Sequence, residues 1–278
     1  MDDIESLRQA GLAADDIAGA LALSTAVGWN QTAADWAFFI ARGHAFGLFD
    51  ARHRLVATAA ALPYEDGFGW ISMVIVAADW RRRGLARRLM GACVETLRQQ
   101  GRAALLDATP EGAEVYRRLG FVALGGMERW EGQGGAKPAG TGITPMAPDA
   151  ADLLIAADHA AFGARRHFLL RDFLSRPGAL ALGHGDGFLV LRPGQRATQL
   201  GPLTAVSAEI AGDLLAEAIA GANGPVFLDL MDPWKSLAPL LETRGFRRQR
   251  PFRRMALGRN TLPGDAARLV CAAGPEFG

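Results

Sequence analysis

The chain has 278 residues, half of them apolar, and a formal net charge of +1. That length suits one large or two ordinary domains with real cores, and so balanced a charge speaks against nucleic acid as a general electrostatic partner. The two cysteines, Cys93 and Cys271, give neither a disulfide framework nor a cysteine metal site; the start Met1-Asp-Asp-Ile-Glu-Ser6 lacks the basic region of a signal peptide, and no apolar run approaches the ~20 residues that span a bilayer, so a soluble cytoplasmic protein is expected.

In chain order, Ala13–Val27 has helical character, with Leu12, Ile17, Leu21 and Leu23 available to pack, and Thr32–Arg42 reads as a second helix. The stretch between them, Gly28-Trp29-Asn30-Gln31, is too polar for a core and too aromatic for a spacer. Ala45–Phe49, Leu55–Leu62 and Phe68–Val76 follow as three strands, an antiparallel meander whose second turn carries Tyr64, Glu65 and Asp66. The third strand ends in Val74-Ile-Val76 and leads through Arg81-Arg-Arg-Gly84-Leu-Ala86 into an amphipathic helix with Leu85, Leu89, Cys93 and Leu97 four apart. Small residues let the backbone approach a ligand, and the outward amides of a helix start favour an anion by roughly 0.3–1 kcal/mol, so this turn is a place for a phosphate. Neither the spacing of a nucleoside-triphosphate P-loop nor that of a dinucleotide fingerprint is present.

Ala103–Asp107 then reads as a strand, Pro110 starts a helix that carries Tyr116, and Leu119-Gly-Phe121 steps into a further strand that runs to Trp130. Glu131–Gly142 is glycine-rich with almost no apolar side chains, the composition of a flexible linker. Beyond it the expected elements are a short strand at Ile143–Met146, helices near Asp149–Phe162 and His167–Ser175, and strands at Ala179–Leu182, Gly187–Leu191 and Thr198–Leu203. Helix Ser207–Ala220, strand Pro225–Asp229, helix Pro233–Thr243 and a strand ending near Leu257 complete the series. Leu105-Leu-Asp107, a proline-started helix and Leu119-Gly-Phe121 are matched in order and spacing by Leu228-Asp229, a proline-started helix and Arg244-Gly-Phe246, as an internal duplication would leave them. The expected domains are therefore 1–131 and 143–259, with a linker at 132–142 and a tail at 260–278.

Arg81-x-x-Gly84-x-Ala86 after a strand ending in Val-x-Val resembles the acyl-CoA loop of the GNAT superfamily of N-acetyltransferases, and the block from Ala103 to Phe121 resembles the region that follows the acyl-CoA helix in those enzymes. Gly201-Pro-Leu203 and Arg250–Met255 resemble the C-terminal domain of a bacterial tandem-GNAT type. The resemblance implies an α/β chain of two tandem GNAT-like domains, each a mixed, mostly antiparallel sheet flanked by helices. It implies an enzyme that moves an acetyl group from acetyl-CoA, its co-substrate, to an amine, with a small molecule as the acceptor. Met73, Val74, Ile75 and Val76 of the strand and Arg81, Arg82, Arg83, Gly84, Leu85, Ala86 and Arg87 of the turn would hold the cofactor. Strand amides that polarise the thioester would be worth ~3 kcal/mol per donor in the transition state. In the second half Glu209 stands near the corresponding helix start, where it would repel a pyrophosphate, so one cofactor site per chain is expected and the second domain is degenerate.

Tyr116 stands where many GNAT enzymes place the acid that protonates the leaving thiolate; the alternative is a ring that only packs against the cofactor. Asp107, at the end of its strand, is the candidate base, and an N-cap role within Asp107-Ala-Thr-Pro110 is its alternative. Trp29 and Asn30 fall in the loop that covers the acceptor pocket of GNAT folds, and Tyr64 and Glu65 at the meander turn join them as candidate substrate contacts. A loop pinned by one buried tryptophan and a solvated turn are the corresponding structural readings. No cluster of His, Cys and Asp has metal spacing, so no metal is expected. The six arginines between Arg244 and Arg254 form either a solvated strand and turn or a patch toward an acidic substrate or the cofactor 3′-phosphate; no aromatic series accompanies them for nucleic acid. A non-catalytic acyl-CoA-binding regulatory protein is the rival from another class, and monomer and homodimer are both open.

Overall fold

In this computed structural model the chain is described over residues 4–135, 143–146 and 151–278. Residues 136–142 of the expected linker and the expected helix start at Asp149 lie outside the described residues. The chain divides into two compact units, one formed by residues up to Leu106 with Leu257–Arg259, the other by Asp107–Ala256 with Asn260–Gly278.

The first unit holds β1 (Arg8–Gly11), α1 (Ile17–Ala26), α2 (Ala33–Arg42), β2 (His44–Phe49), β3 (Leu55–Pro63), β4 (Phe68–Val76), α3 (Leu85–Gln99) and most of β5 (Ala103–Ala108). Strands β1 to β4 pair antiparallel in chain order, and β5 joins β4 in parallel. The meander expected from the sequence is present; β1, which was not expected, lies along β2 with Arg8 opposite Phe49. Helix α2 starts at a capping box: Thr32 Oγ1 accepts from the Asp35 N–H, and Asp35 Oδ2 accepts from the Thr32 N–H at 2.7 Å. Its buried Trp36 donates from Nε1 to Ser24 Oγ of α1 at 3.1 Å, which ties the two helices together. On α3 the residues spaced four apart, Leu85, Leu89, Cys93 and Leu97, are all buried against β2 to β4. Full burial of Leu89 and of Leu97 is worth roughly 1.5–3 kcal/mol each.

The second unit holds α4 (Pro110–Arg117), β6 (Val122–Gln133), β7 (Thr144–Pro145), α5 (Ala151–Phe162), α6 (His167–Ser175), β8 (Leu180–His184), β9 (Gly187–Arg192), β10 (Thr198–Thr204), α7 (Ala208–Gly221), β11 (Pro225–Met231), α8 (Ala238–Thr243), β12 (Arg247–Leu257) and β13 (Leu269–Cys271). Its strands run in the order β12-β6-β11-β13-β10-β9-β8-β7. Helix α7, capped where Ser207 accepts from the Ile210 N–H, packs Leu214, Leu215 and Ile219 on β8 to β10. The single helix expected at Pro233–Thr243 is a 3-10 segment, Asp232–Leu237, that turns into α8. The expected tail contributes β13 to the sheet, and β6 takes in residues 132 and 133 of the expected linker.

Strand β6, which closes the first half of the sequence, pairs antiparallel with both β11 and β12 of the second half. Two buried ion pairs repeat the exchange. Arg129 of β6 donates to Asp229 of β11 from Nε at 2.8 Å and Nη2 at 2.7 Å. Arg254 of β12 donates to Asp107 of β5 from Nε at 2.9 Å and Nη2 at 2.8 Å. Each half thus carries, near the end of a strand, an aspartate that holds an arginine from the other half's closing strand, through the same fork. The match of Leu105-Leu-Asp107 with Leu228-Asp229 in the sequence is a match of these two ion pairs in space.

Candidate active site

The cofactor strand β4 is not regular. Thr58 and Ala60 of β3 stand opposite Ile75 and Ser72, so two residues of β4 answer one of β3 between them, and the excess forms a bulge at Met73 and Val74. Met73 has φ 56°, a left-handed conformation that costs a branched or bulky residue roughly 1–3 kcal/mol, and its carbonyl is held by Thr58 Oγ1 at 2.8 Å. A bulge re-aims the peptide groups of a strand. The ladder to β5 ends before the bulge: Phe68–Trp70 pair with Ala103–Leu105, and β4 runs on to Val76 past the last of these pairs. Met73 and Ile75 are buried, while Val74 and Val76 are half-buried on the alternate positions.

A 3-10 turn, Ala78–Trp80, carries the chain from β4 toward α3. Arg81 donates from Nε to the Val76 carbonyl at 3.2 Å, and Arg83 donates to the Asp79 carbonyl at 3.1 Å while stacking 4.9 Å over Trp80. These two side chains stiffen the loop; Arg82 and Arg87 are exposed. Arg82 has φ 61° and Gly84 φ 80°, both left-handed, and a side chain on Gly84 would have open space before it. The first helical bond of α3 runs from the Arg88 N–H to the Gly84 carbonyl, so the amides of Leu85, Ala86 and Arg87 have no intrahelical acceptor. Helices α2, α4 and α7 have Thr32, Thr109 and Ser207 as side-chain caps, whereas α3, like α1, α6 and α8, has none.

The second unit places the two candidate catalytic residues. Tyr116, half-buried on α4, sets its ring 6.1 Å from that of Phe121 and over Gly112, whose missing side chain leaves it room. Asp107 differs from its expectation as a base. Its carboxylate has no exposure and both oxygens accept from Arg254; burial raises its pKa and Arg254 opposes the rise. A carboxylate so enclosed does not reach a substrate proton. Its alternative role is also taken, because Thr109 caps α4 by accepting from the Gly112 N–H at 3.2 Å.

In the loop after α1, Trp29 is half-buried and its N–H bonds the Ser24 carbonyl at 3.0 Å, while Asn30 is 4% exposed. Tyr64 is not at a solvated turn: it is buried in the first unit with its ring 5.8 Å from Phe68, whereas Glu65 stands in solvent. Two polar atoms of that unit escaped the sequence reading. Gln31 Oε1 and Ser72 Oγ are buried without a hydrogen-bond partner, a state that only side-chain packing reveals and that a bound ligand can relieve. Among the described residues no group of three or more His, Cys, Asp or Glu side chains could hold a metal ion, and no helix is long and apolar enough to cross a membrane.

The second half repeats the bulged strand and closes it. On β10, Leu200 and Leu203 stand opposite Leu191 and Leu189, which gives a bulge at Gly201-Pro202, and Thr198–Leu200 run parallel to Val226–Leu228 of β11. Between β10 and β11 lies β13, with Cys271 opposite both Leu203 and Leu230 and the Ala272 N–H bonded to the Asp229 carbonyl at 3.0 Å. Gly201 has φ 144° and comes against the Ala272 carbonyl, a contact that leaves no room for a side chain. In the second half the part of β10 beyond its pairs with β11 is thus paired with the chain's own backbone.

Comparison with known proteins agrees with this duplication. Residues 19–121 match the acetyltransferase (GNAT) family, and residues 154–270 match an acetyltransferase (GNAT) domain. The chain is 26% identical over 257 residues to YitH of Bacillus subtilis (strain 168), described as an uncharacterised N-acetyltransferase, covering 88% of this chain and 89% of that one. A candidate acetyltransferase from Pyrococcus horikoshii shares the fold with a TM-score of 0.85 at 18% identity, over 99% of this chain and 97% of its own. A tandem GNAT protein from the clavulanic acid biosynthesis pathway shares it with a TM-score of 0.62 at 14% identity, over 90% and 98%. With one family match in each half and a fold whose halves repeat, the chain belongs to the GNAT acetyltransferases as a tandem-domain member.

Proposed function

We propose that this protein is an N-acetyltransferase that moves the acetyl group of acetyl-CoA to an amine on a small molecule in the cytoplasm, with one cofactor site per chain, in the first half (residues 1–131), and a degenerate second half (residues 143–259). The family transfers acetyl groups from acetyl-CoA; the amine, the single site and the residue roles are our reading. The observation that carries it is the contrast between the halves. The first has a bulged strand that leaves its ladder and leads to an uncapped helix start at Gly84; the second has the same strand blocked by β13 and the helix start capped by Ser207.

In this reading the amides of Arg82 to Arg87 receive the pyrophosphate, and the peptide groups around Met73 polarise the thioester carbonyl. The amine nitrogen attacks that carbonyl carbon and releases a further proton to water, the tetrahedral intermediate expels the thiolate, Tyr116 donates its phenolic proton to the sulfur, and the phenolate regains a proton from solvent. A primary amine with a pKa near 10.4 must first lose a proton, and with Asp107 enclosed by Arg254 that proton leaves through water. Calorimetric titration with acetyl-CoA tests the assignment. The parent should bind at one site per chain and Gly84→Glu should not, since it sets a carboxylate at the phosphate position; binding at two sites, or equal binding by the variant, would refute it. Release of CoA on adding amines then separates an enzyme from a binding protein without turnover.

A further inference from the structure

Strand β12 brings several arginines to the second unit, and most have an acid. Arg247 meets Glu131 at 2.9 Å, Arg248 meets Glu128 at 3.3 Å, and Arg254 is held by Asp107. Arg250 is different. In the ladder it stands opposite Arg129, which on its other side stands opposite Asp229, so one row across three strands holds two guanidiniums and one carboxylate. Like charges directly opposite repel, and Asp229 is fully used by Arg129 and by Gln199 Nε2 at 3.0 Å.

Arg250 is also partly enclosed. Its Nε is buried without a hydrogen-bond partner, and its guanidinium lies 5.0 Å from the Phe252 ring. A third guanidinium, that of Arg196, lies 5.8 Å from Phe227, the ring that with Phe252 flanks Arg129. Burial pushes the Arg250 pKa down, as do Arg129 and Arg196, while Asp229 and Glu111 act against them.

We propose that Arg250 is the anchor of a binding site for a carboxylate. A carboxylate matches the planar guanidinium fork, supplies the acceptor that Nε lacks, and sets a negative charge beside two guanidiniums that stand opposite each other. Assigning that carboxylate to the acceptor, as in an amine of amino-acid type, rests on the acetyltransferase reading; the binding site does not. Calorimetry on the full chain, with benzoate against its neutral analogue benzamide, tests it. Benzoate should bind the parent at one site, and benzamide at least about tenfold more weakly. Arg250→Gln should weaken benzoate by a similar factor while its melting temperature and acetyl-CoA titration stay those of the parent. Absence of benzoate binding, equal binding of benzamide, or an unaffected variant would overturn the proposal. Benzoate binding without acetyl-CoA binding would leave this site standing and remove the acetyltransferase reading instead.

Discussion

Asp107 is the residue whose role a single substitution decides. Asp107→Asn keeps the volume and removes the charge, which leaves the Arg254 guanidinium, 4% exposed, opposite a neutral amide. Removing one partner of a buried ion pair costs about 3–5 kcal/mol, because the remaining charge cannot return to water. For a protein of this size each kcal/mol moves the melting temperature by roughly 2–4 °C, so a fall of ~6–20 °C is expected. Thermal and urea melts of parent and variant measure it, and CoA release well below the melting point should fall by much less than the ~10²-fold or more expected for a lost general base. The double variant Asp107→Leu with Arg254→Met replaces both charges by apolar side chains and should recover most of the stability, since a buried pair replaced as a whole is close to neutral. If Asp107→Asn melts with the parent while turnover drops a hundredfold, the carboxylate acts on substrate and the structural role assigned to it is wrong.

Three further outcomes follow from the geometry. Tyr116→Phe should lower turnover by ~10²-fold or more with acetyl-CoA affinity unchanged, as expected for a lost acid; turnover and affinity both like those of the parent would mean that the ring only packs against the cofactor. Cys93 and Cys271 are both fully buried and burial raises both thiol pKa values, so neither thiolate forms at mildly alkaline pH; a thiol-disulfide reagent should label neither in the native chain and both after unfolding, and native labelling would show that these cores open. Residues 1–142 and 143–278 expressed apart should each fail to give a cooperative melt, because β6 has its two strand partners in the other fragment, and a melt like that of the whole chain from either fragment would count against the exchange.

What the sequence made legible were features written in local order. The four-residue spacing of Leu85, Leu89, Cys93 and Leu97 is the buried stripe of α3, and His167–Ser175 is α6 to the residue, because helical periodicity and caps act over a few positions. Features set by distant partners stayed hidden. Asp107 meets Arg254 147 positions away, so its spacing to Pro110 suggested a cap that Thr109 supplies. The bulge at Met73 is a matter of register with β3 and leaves no mark on composition, although Ile71–Val76 reads plainly as strand. Strand β1 is mostly exposed and β13 has three residues, too little in either for an apolar alternation to show. Tyr64 looked like a turn residue because its neighbours Glu65 and Asp66 are, and only packing on Phe68 turns it inward.

The exchange of closing strands also sets a timetable. Both edges of β6 wait for strands that begin roughly ninety residues later at the nearest, and at ~5–20 residues per second a ribosome needs on the order of 5–20 s to supply the first of them. During that interval Met127 and Trp130 travel on a strand with neither neighbour in place, the condition in which unpaired edges recruit other chains. Duplication with exchange thus leaves the closing strand of the first half unpaired until the second half has been made.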